Sequence, residues 1–174
     1  MIDPLKLLNN QVGSGTVEWI GIRPGRRQPL EPVTVVDASA GTGLAGDHFA
    51  GKPGAKRQVT LVQEEHLAVV ASILKRDAVE PGLLRRNIVV SGINLLSLVD
   101  RRFRIGRAVF EGASACHPCS RMEENLGRGG LNAMRGHGGI TARVIDSGEI
   151  RLGDSVSDLG ARPSEGPDQS GVNS

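Results

Sequence analysis

Tyrosine is absent from the 174-residue chain, and one tryptophan and three phenylalanines are its only aromatic rings. That excludes the stacking platform on which single-stranded nucleic acid binds, which needs several exposed rings. Cysteine occurs twice, too seldom for a disulfide scaffold, so the thiols are expected to be reduced. No apolar run approaches the roughly 20 residues of a membrane-spanning helix, and the opening stretch MIDPLKLLNN is too short and polar for a signal peptide. A strong charge imbalance is missing too. With 21 basic and 19 acidic residues the net charge is only +2, so the clustering of the arginines matters more than their sum. What remains is a chain of 39% hydrophobic and 23% charged residues, the composition of a soluble globular domain. A cytoplasmic protein without a nucleic-acid or membrane partner is expected.

The dominant pattern is short runs rich in β-branched residues, bounded by glycine and proline: VGSGTVEWIGIRP, EPVTVVDASA, QVTLVQ, RNIVVSG, RFRIGRAVFEG, ITARVIDSGEI and DSVSDL. The Ser-Gly step in VIDSGEI reads as a hairpin turn. Helical periodicity is clear only in QEEHLAVVASILKRD, where Leu67, Val70, Ala71 and Leu74 fall on one face. Glu64 and Glu65 at its start, with Lys75 and Arg76 at its end, suit the helix dipole. GGLNAMR is a second, shorter helix candidate. The echo between FRIGRAV and IRLGDSV (apolar, Arg, apolar, Gly, two residues, Val) reads as two strands with a glycine bend. Many short strands and one good helix predict a mainly β domain closed into a barrel over residues 1–159. From Gly160 to Ser174 the chain has almost nothing to bury and is expected to be a disordered tail, removable without loss of stability.

Both cysteines lie in GASACHPCSRMEENLGRGGLNAMRGHGGI, among arginines and glycines. Cys116 and Cys119 form a C-x-x-C, but Pro118 and the lack of surrounding βαβ units argue against a thioredoxin-like dithiol. A closed zinc site needs further ligands, and His117 and His137 are the only histidines nearby. Two inert buried thiols are the remaining alternative. The neighbouring Arg121, Arg128, Arg135 and His137 favour a thiolate. The glycines of GRGG and RGHGG permit close backbone approach and anion-binding amides, although neither matches a Walker loop. Three more basic clusters, GKPGAKRQ, LLRRNIVV and DRRFR, stand ready to converge on the same place. Together they point to an anionic ligand held by arginines and amides beside a cysteine thiolate.

The segments GLAGDHFAGKPGAKRQVTLVQEEHL, GLLRRNIVVSGINLLSL, FRIGRAVFEGASACHPCSRM and GHGGITARVIDSGEIRLGDSV, in that order, resemble the stand-alone MOSC domain, named for the C-terminal domain of molybdenum-cofactor sulfurase. The resemblance runs from about Val12 to Val156. It implies a MOSC-type β-barrel with a few short helices, and a protein that handles the molybdenum cofactor (molybdopterin) or its sulfur. The family centres on one cysteine, a persulfide carrier in the sulfurases and a molybdenum ligand in the related amidoxime reductases. PCSRM fits the family's Pro-Cys pattern, which assigns that position to Cys119, with Cys116 three residues before it. Arg57 of RQVTL and Arg86 and Asn87 of RRN are carried over as ligand contacts. Arg121, Asn132, His137 and Gly138 complete the expected cofactor-binding set. The chain lacks the separate N-terminal barrel of the amidoxime reductases and the aminotransferase-like domain of the sulfurases, so pyridoxal phosphate chemistry is not expected. Three functions follow: a cofactor-binding protein with Cys119 on molybdenum, reducing N-hydroxylated compounds with electrons from a partner; a persulfide carrier fed by a sulfur-donor protein; or a non-catalytic anion-binding domain.

Overall fold

The computed structural model describes residues 1–48 and 52–164. The strands there are β1 Gly15–Ile22, β2 Glu31–Val33, β3 Val35–Ser39, β4 Gly43–Leu44, β5 Val59–Gln63, β6 Ile88–Ser91, β7 Arg101–Ile105, β8 Ala108–Ala115, β9 Ile140–Asp146, β10 Gly148–Arg151 and β11 Ser155–Ala161. The helices are α1 Pro4–Leu7, α2 Glu64–Ile73, α3 Arg121–Leu126 and α4 Gly130–Met134. Seven strands close into a mixed barrel: β1, β6, β5, β9, β8, β7 and β11, with β11 returning to β1. Only β5 and β6 run parallel. β2 continues the sheet beside the far end of β1, and β10, β3 and β4 form a separate small sheet.

Alternation along the strands divides the apolar residues between two clusters. Val59, Leu61, Ile88 and Val90 point into the barrel, where Phe103 stacks on Phe110. Val62 and Val89 point outward and are covered by Leu67, Val70 and Ala71 of α2 with Met122, Leu126 and Met134 of α3 and α4. Each such buried side chain contributes roughly 1.5–3 kcal/mol, so the helices are held by this outer cluster more than by their own short hydrogen-bonded turns.

The mainly β barrel and the α2 and α4 helices match the sequence expectations, with four differences. α2 ends at Ile73, because Lys75 turns left-handed at φ 58° and its cation stands past the last turn. α2 also bridges the parallel pair β5 and β6, a single β-α-β crossover inside an otherwise antiparallel barrel. VIDSGEI is no hairpin: β9 stays in the barrel while β10 pairs with β3, Gly148 opposite Ala38 and Arg151 opposite Val35. Finally, the barrel runs past residue 159. Gly160 and Ala161 pair with Arg102 and Arg101 of β7, and the Arg162 amide donates to the Asp100 carbonyl. Truncation from Gly160 is therefore expected to lower the melting temperature, contrary to the sequence reading; residues 165–174 of the expected tail lie outside the described residues.

The echo FRIGRAV and IRLGDSV marks two turns that touch each other. Gly106, at φ 54° between β7 and β8, lies against the Asp154 carboxylate of the Gly153 turn between β10 and β11. Gly112 of β8 is close-packed without any unusual backbone angle: a Cβ there would sit 2.1 Å from the Leu98 carbonyl oxygen. Gly112→Ala is expected to lose about 1–3 kcal/mol by overpacking against a backbone that cannot retreat, measured as a lower denaturation midpoint at unchanged slope.

In the middle of β11, Asp158 receives a fork from Arg101, with Nη2 to Oδ2 at 2.7 Å and Nε to Oδ1 at 3.0 Å. Burial works to raise the Asp158 carboxyl, but the Arg101 hydrogen bonds, the Gly160 amide and the Arg101 charge outweigh it and hold it below the usual range. A depressed carboxylate adds stability above its unfolded pKa and loses it as pH falls through the folded one. The melting-temperature gap between the native protein and Asp158→Asn should thus shrink as pH drops from 7 toward about 3.

Candidate functional site

Strand order explains why distant basic residues meet. β5 and β6 are parallel, with Leu61 opposite Ile88, so the residues leading into them lie side by side. β1 is antiparallel to β6, with Ile20 opposite Ile88, so the residues leaving β1 reach the same end. There a cleft of about 570 Å³ opens, lined by Arg23 after β1, by Asp47 and His48, by Lys56 and Arg57 before β5, and by Arg85 and Asn87 before β6. Leu30 and Ala55 give it an apolar wall.

Among the described residues, none of Arg23, Lys56, Arg57 and Arg85 takes part in an ion pair. Asp47, the one carboxylate among the described lining residues, accepts the Arg23 amide at 2.7 Å. Arg23 Nη2 donates to the His48 carbonyl, while its buried Nε has no partner among the described residues. Burial, followed by the like charges of Arg23 and Arg121, lowers the Arg85 pKa, and Cys119 acts in the opposite sense. Arg85 stays a cation, but one whose surroundings favour an added anion.

The thiol segment comes within electrostatic reach of Arg85 through Cys119. The Cys116 amide donates to the Gly139 carbonyl at 2.8 Å, and the Cys119 carbonyl accepts the Met122 amide at 2.9 Å as α3 begins. Both thiols are free; Cys116 is buried and Cys119 exposed. Among the described residues, no cluster of three or more His, Cys, Asp or Glu side chains forms a metal-holding group, so the closed zinc alternative finds no ligand set.

The residues expected from the sequence divide into two groups. Arg57 is exposed on the cleft wall. Asn87 also lines it, but its side chain is committed: Oδ1 accepts from the Thr60 amide and hydroxyl, and Nδ2 donates to the Gly21 carbonyl. Arg121 flanks the site, paired with Glu124 at 3.3 Å and close enough to Arg85 to act on it electrostatically. Arg86 departs from its expected role. It is 6% exposed, and its guanidinium donates to the carbonyls of Gly138, Leu84 and Cys116. Asn132 and His137 are not among the cleft's lining residues. Asn132 is exposed on α4, and His137 packs edge-on against His66 with centroids 4.8 Å apart.

The glycine loops serve packing and capping. A Cβ on Gly138 would stand 2.0 Å from the Cys116 carbonyl oxygen, and one on Gly139 would stand 1.8 Å from that of Leu61. In GRGG the chain supplies its own anion: Glu123 accepts the Gly129 and Leu131 amides at 2.8 and 3.0 Å. Those two amides hold the Glu123 carboxyl below its usual range. The third basic cluster does not converge either, since on β7 Arg101 pairs with Asp158 and Arg102 with Glu111.

Sequence reasoning missed Arg23 and Arg85 as site residues. Arg85 caps the turn Pro81–Leu84 in the left-handed region at φ 56°. That bend sends it to the cleft and its neighbour Arg86 inward. The doublet RRN marked the place, but nothing in two adjacent arginines says which one turns outward. Arg23 carried a weaker signal, an arginine between the end of an apolar strand and Pro24.

The chain resembles solved structures across most of its length. It matches the YuaD protein of Bacillus subtilis with a TM-score of 0.73 at 18% identity, covering 86% of this chain and 98% of that one. YiiM from Geobacillus stearothermophilus gives 0.67 at 17% identity, covering 83% and 75%. YiiM from Escherichia coli gives 0.65 at 18%, covering 86% and 71%. At these identities the likeness is one of fold. A comparison with curated protein sequences gives no match. The family model for the MOSC domain matches residues 46–157, well over half of the 174 residues. That span carries Arg57, Arg85 and both cysteines, and on it this chain belongs to the MOSC domain family.

Proposed function

We propose that the protein binds the molybdenum cofactor, with Cys119 as the thiolate ligand and the cleft cations on the pterin phosphate. The observation that carries this reading is one juxtaposition: Arg85, in no ion pair among the described residues and sharing a cleft with Arg23, Lys56 and Arg57, lies within electrostatic reach of the exposed Cys119. The residues fit the group. Arginine forks suit phosphate oxygens, the orphaned Arg23 Nε offers a buried donor, and a soft thiolate suits molybdenum. When bound, the cofactor supplies two-electron oxygen-atom chemistry. The reaction favoured is reduction of N-hydroxylated compounds, in which an N–OH bond gives N–H and water with two electrons and two protons. A separate electron-transfer protein supplies the electrons. Arg85 and Arg57 hold the anionic end, Leu30 and Ala55 limit water on one wall, and Asn87 ties β5 to β1 at the cleft through Thr60 and Gly21.

The exposure of Cys119 also favours a second reading, a persulfide carrier that presents sulfur to a sulfur-accepting protein. The two separate chemically. Protein from a cofactor-making host should release a pterin that fluoresces after oxidation. Cyanide-labile sulfur without pterin or metal would replace the first reading with the second. Absence of both would leave an anion-binding domain.

A further inference from the structure

We propose that Arg86 is a positioning residue for the thiol segment, acting through backbone carbonyls and not through the ligand. The proposal rests on the reading of Cys119 as the working thiol, but its test needs no cofactor. Three chain segments meet on one buried guanidinium: Nε donates to Gly138 O at 2.7 Å, Nη1 to Leu84 O at 2.9 Å and Nη2 to Cys116 O at 3.4 Å. Among the described residues no carboxylate pairs with it. A buried cation is retained at a desolvation penalty, and here its hydrogen bonds join the glycine loop, the turn before β6 and the cysteine segment.

The consequence for the thiol follows from chain connectivity. The Cys116 peptide is fixed on both sides, its amide on Gly139 O and its carbonyl on Arg86, with Gly138 closely packed against that carbonyl. Pro118 restricts the backbone that follows, and the Cys119 carbonyl is already engaged by α3. Little freedom remains between the two anchors. Arg85 and Arg86 are consecutive residues, so one dipeptide supplies both the cation that faces the cleft and the fork that pins the thiol segment. The spacing between anionic ligand and thiol is thus set locally. Lysine cannot substitute, because its ammonium lacks the planar fork that reaches divergent carbonyls.

The experiment measures alkylation of both cysteines by iodoacetamide at neutral pH, on cofactor-free protein, in Arg86→Lys and Gly138→Ala. The second variant crowds the Cys116 carbonyl while leaving the arginine in place. Val156→Ala, a core truncation in β11, serves as the control for general destabilisation. In folded Arg86→Lys and Gly138→Ala, Cys116 labelling is expected to rise about tenfold or more as the segment opens locally. Val156→Ala should leave it unchanged. Unchanged labelling in the two variants, the same change in Val156→Ala, or loss of fold in both Arg86→Lys and Gly138→Ala would overturn the proposal. Failure to retain molybdenum in the native protein would bear on the proposed function and leave this result standing.

Discussion

Treated with limiting iodoacetamide at neutral pH, the cofactor-free native protein should be modified at Cys119 while Cys116 stays intact. The two thiols sit three residues apart, yet Cys119 is exposed and Cys116 is only 6% exposed with its peptide tied on both sides. Alkylation requires access as well as thiolate, and Cys116 becomes accessible only when the segment opens. A rate difference of at least about tenfold is the modest end of what local opening provides. Loaded cofactor should protect Cys119, since a thiolate held by a metal is not free to attack. Peptide mapping by mass spectrometry reads both outcomes. Preferential labelling of Cys116 would reverse the assignment, and equal labelling would restore the dithiol alternative.

Charge reversal in the cleft should produce the second large effect. Arg85→Ala removes a cation whose burial and like-charged neighbours leave it in want of an anion, and a charge-assisted hydrogen bond to phosphate is worth roughly 1.5–3 kcal/mol. Cofactor affinity should fall by about ten- to a hundredfold, and Arg85→Glu should abolish retention. Stability should hardly change, or rise slightly, because the left-handed residue at φ 56° makes none of the interior hydrogen bonds that Arg86 makes. Arg86→Ala should do the reverse to stability, since it strands three buried carbonyls. Paired binding and melting measurements on the two alanine variants distinguish these roles. If Arg86→Ala melted like the native protein while Arg85→Ala bound the cofactor normally, the assignment of the doublet would be wrong.

The barrel was legible in the sequence because alternation in QVTLVQ and RNIVVSG reports two covered faces, and the structure places Val59, Leu61, Ile88 and Val90 inside with Val62 and Val89 outside. The partners of each strand were less legible. Ser147 and Gly148 have the chemistry of a hairpin turn, but the pairing of β10 with β3 is a long-range choice that no local pattern encodes. α3 escaped notice because six residues with Met122 and Leu126 buried are too few to show a period.

The site was legible in kind but not in detail. Arginines before strands do meet in one cleft, and Cys119 acts electrostatically on one of them, Arg85. Glycine, however, looks the same in sequence whether it admits a ligand or a carbonyl, and here Gly138 and Gly139 admit carbonyls. The amides of GRGG invite an anion, and Glu123 of the same chain is that anion.

The claim that Cys119 is the molybdenum ligand is tested most directly by metal content. Native protein, Cys119→Ser and Cys116→Ser would be purified from one cofactor-making host and their molybdenum measured per chain by elemental analysis. Close to one molybdenum per chain is expected in the native protein and in most of the Cys116→Ser protein, with none above background in Cys119→Ser. Equal molybdenum in the native and Cys119→Ser proteins, or none in either, would contradict the account.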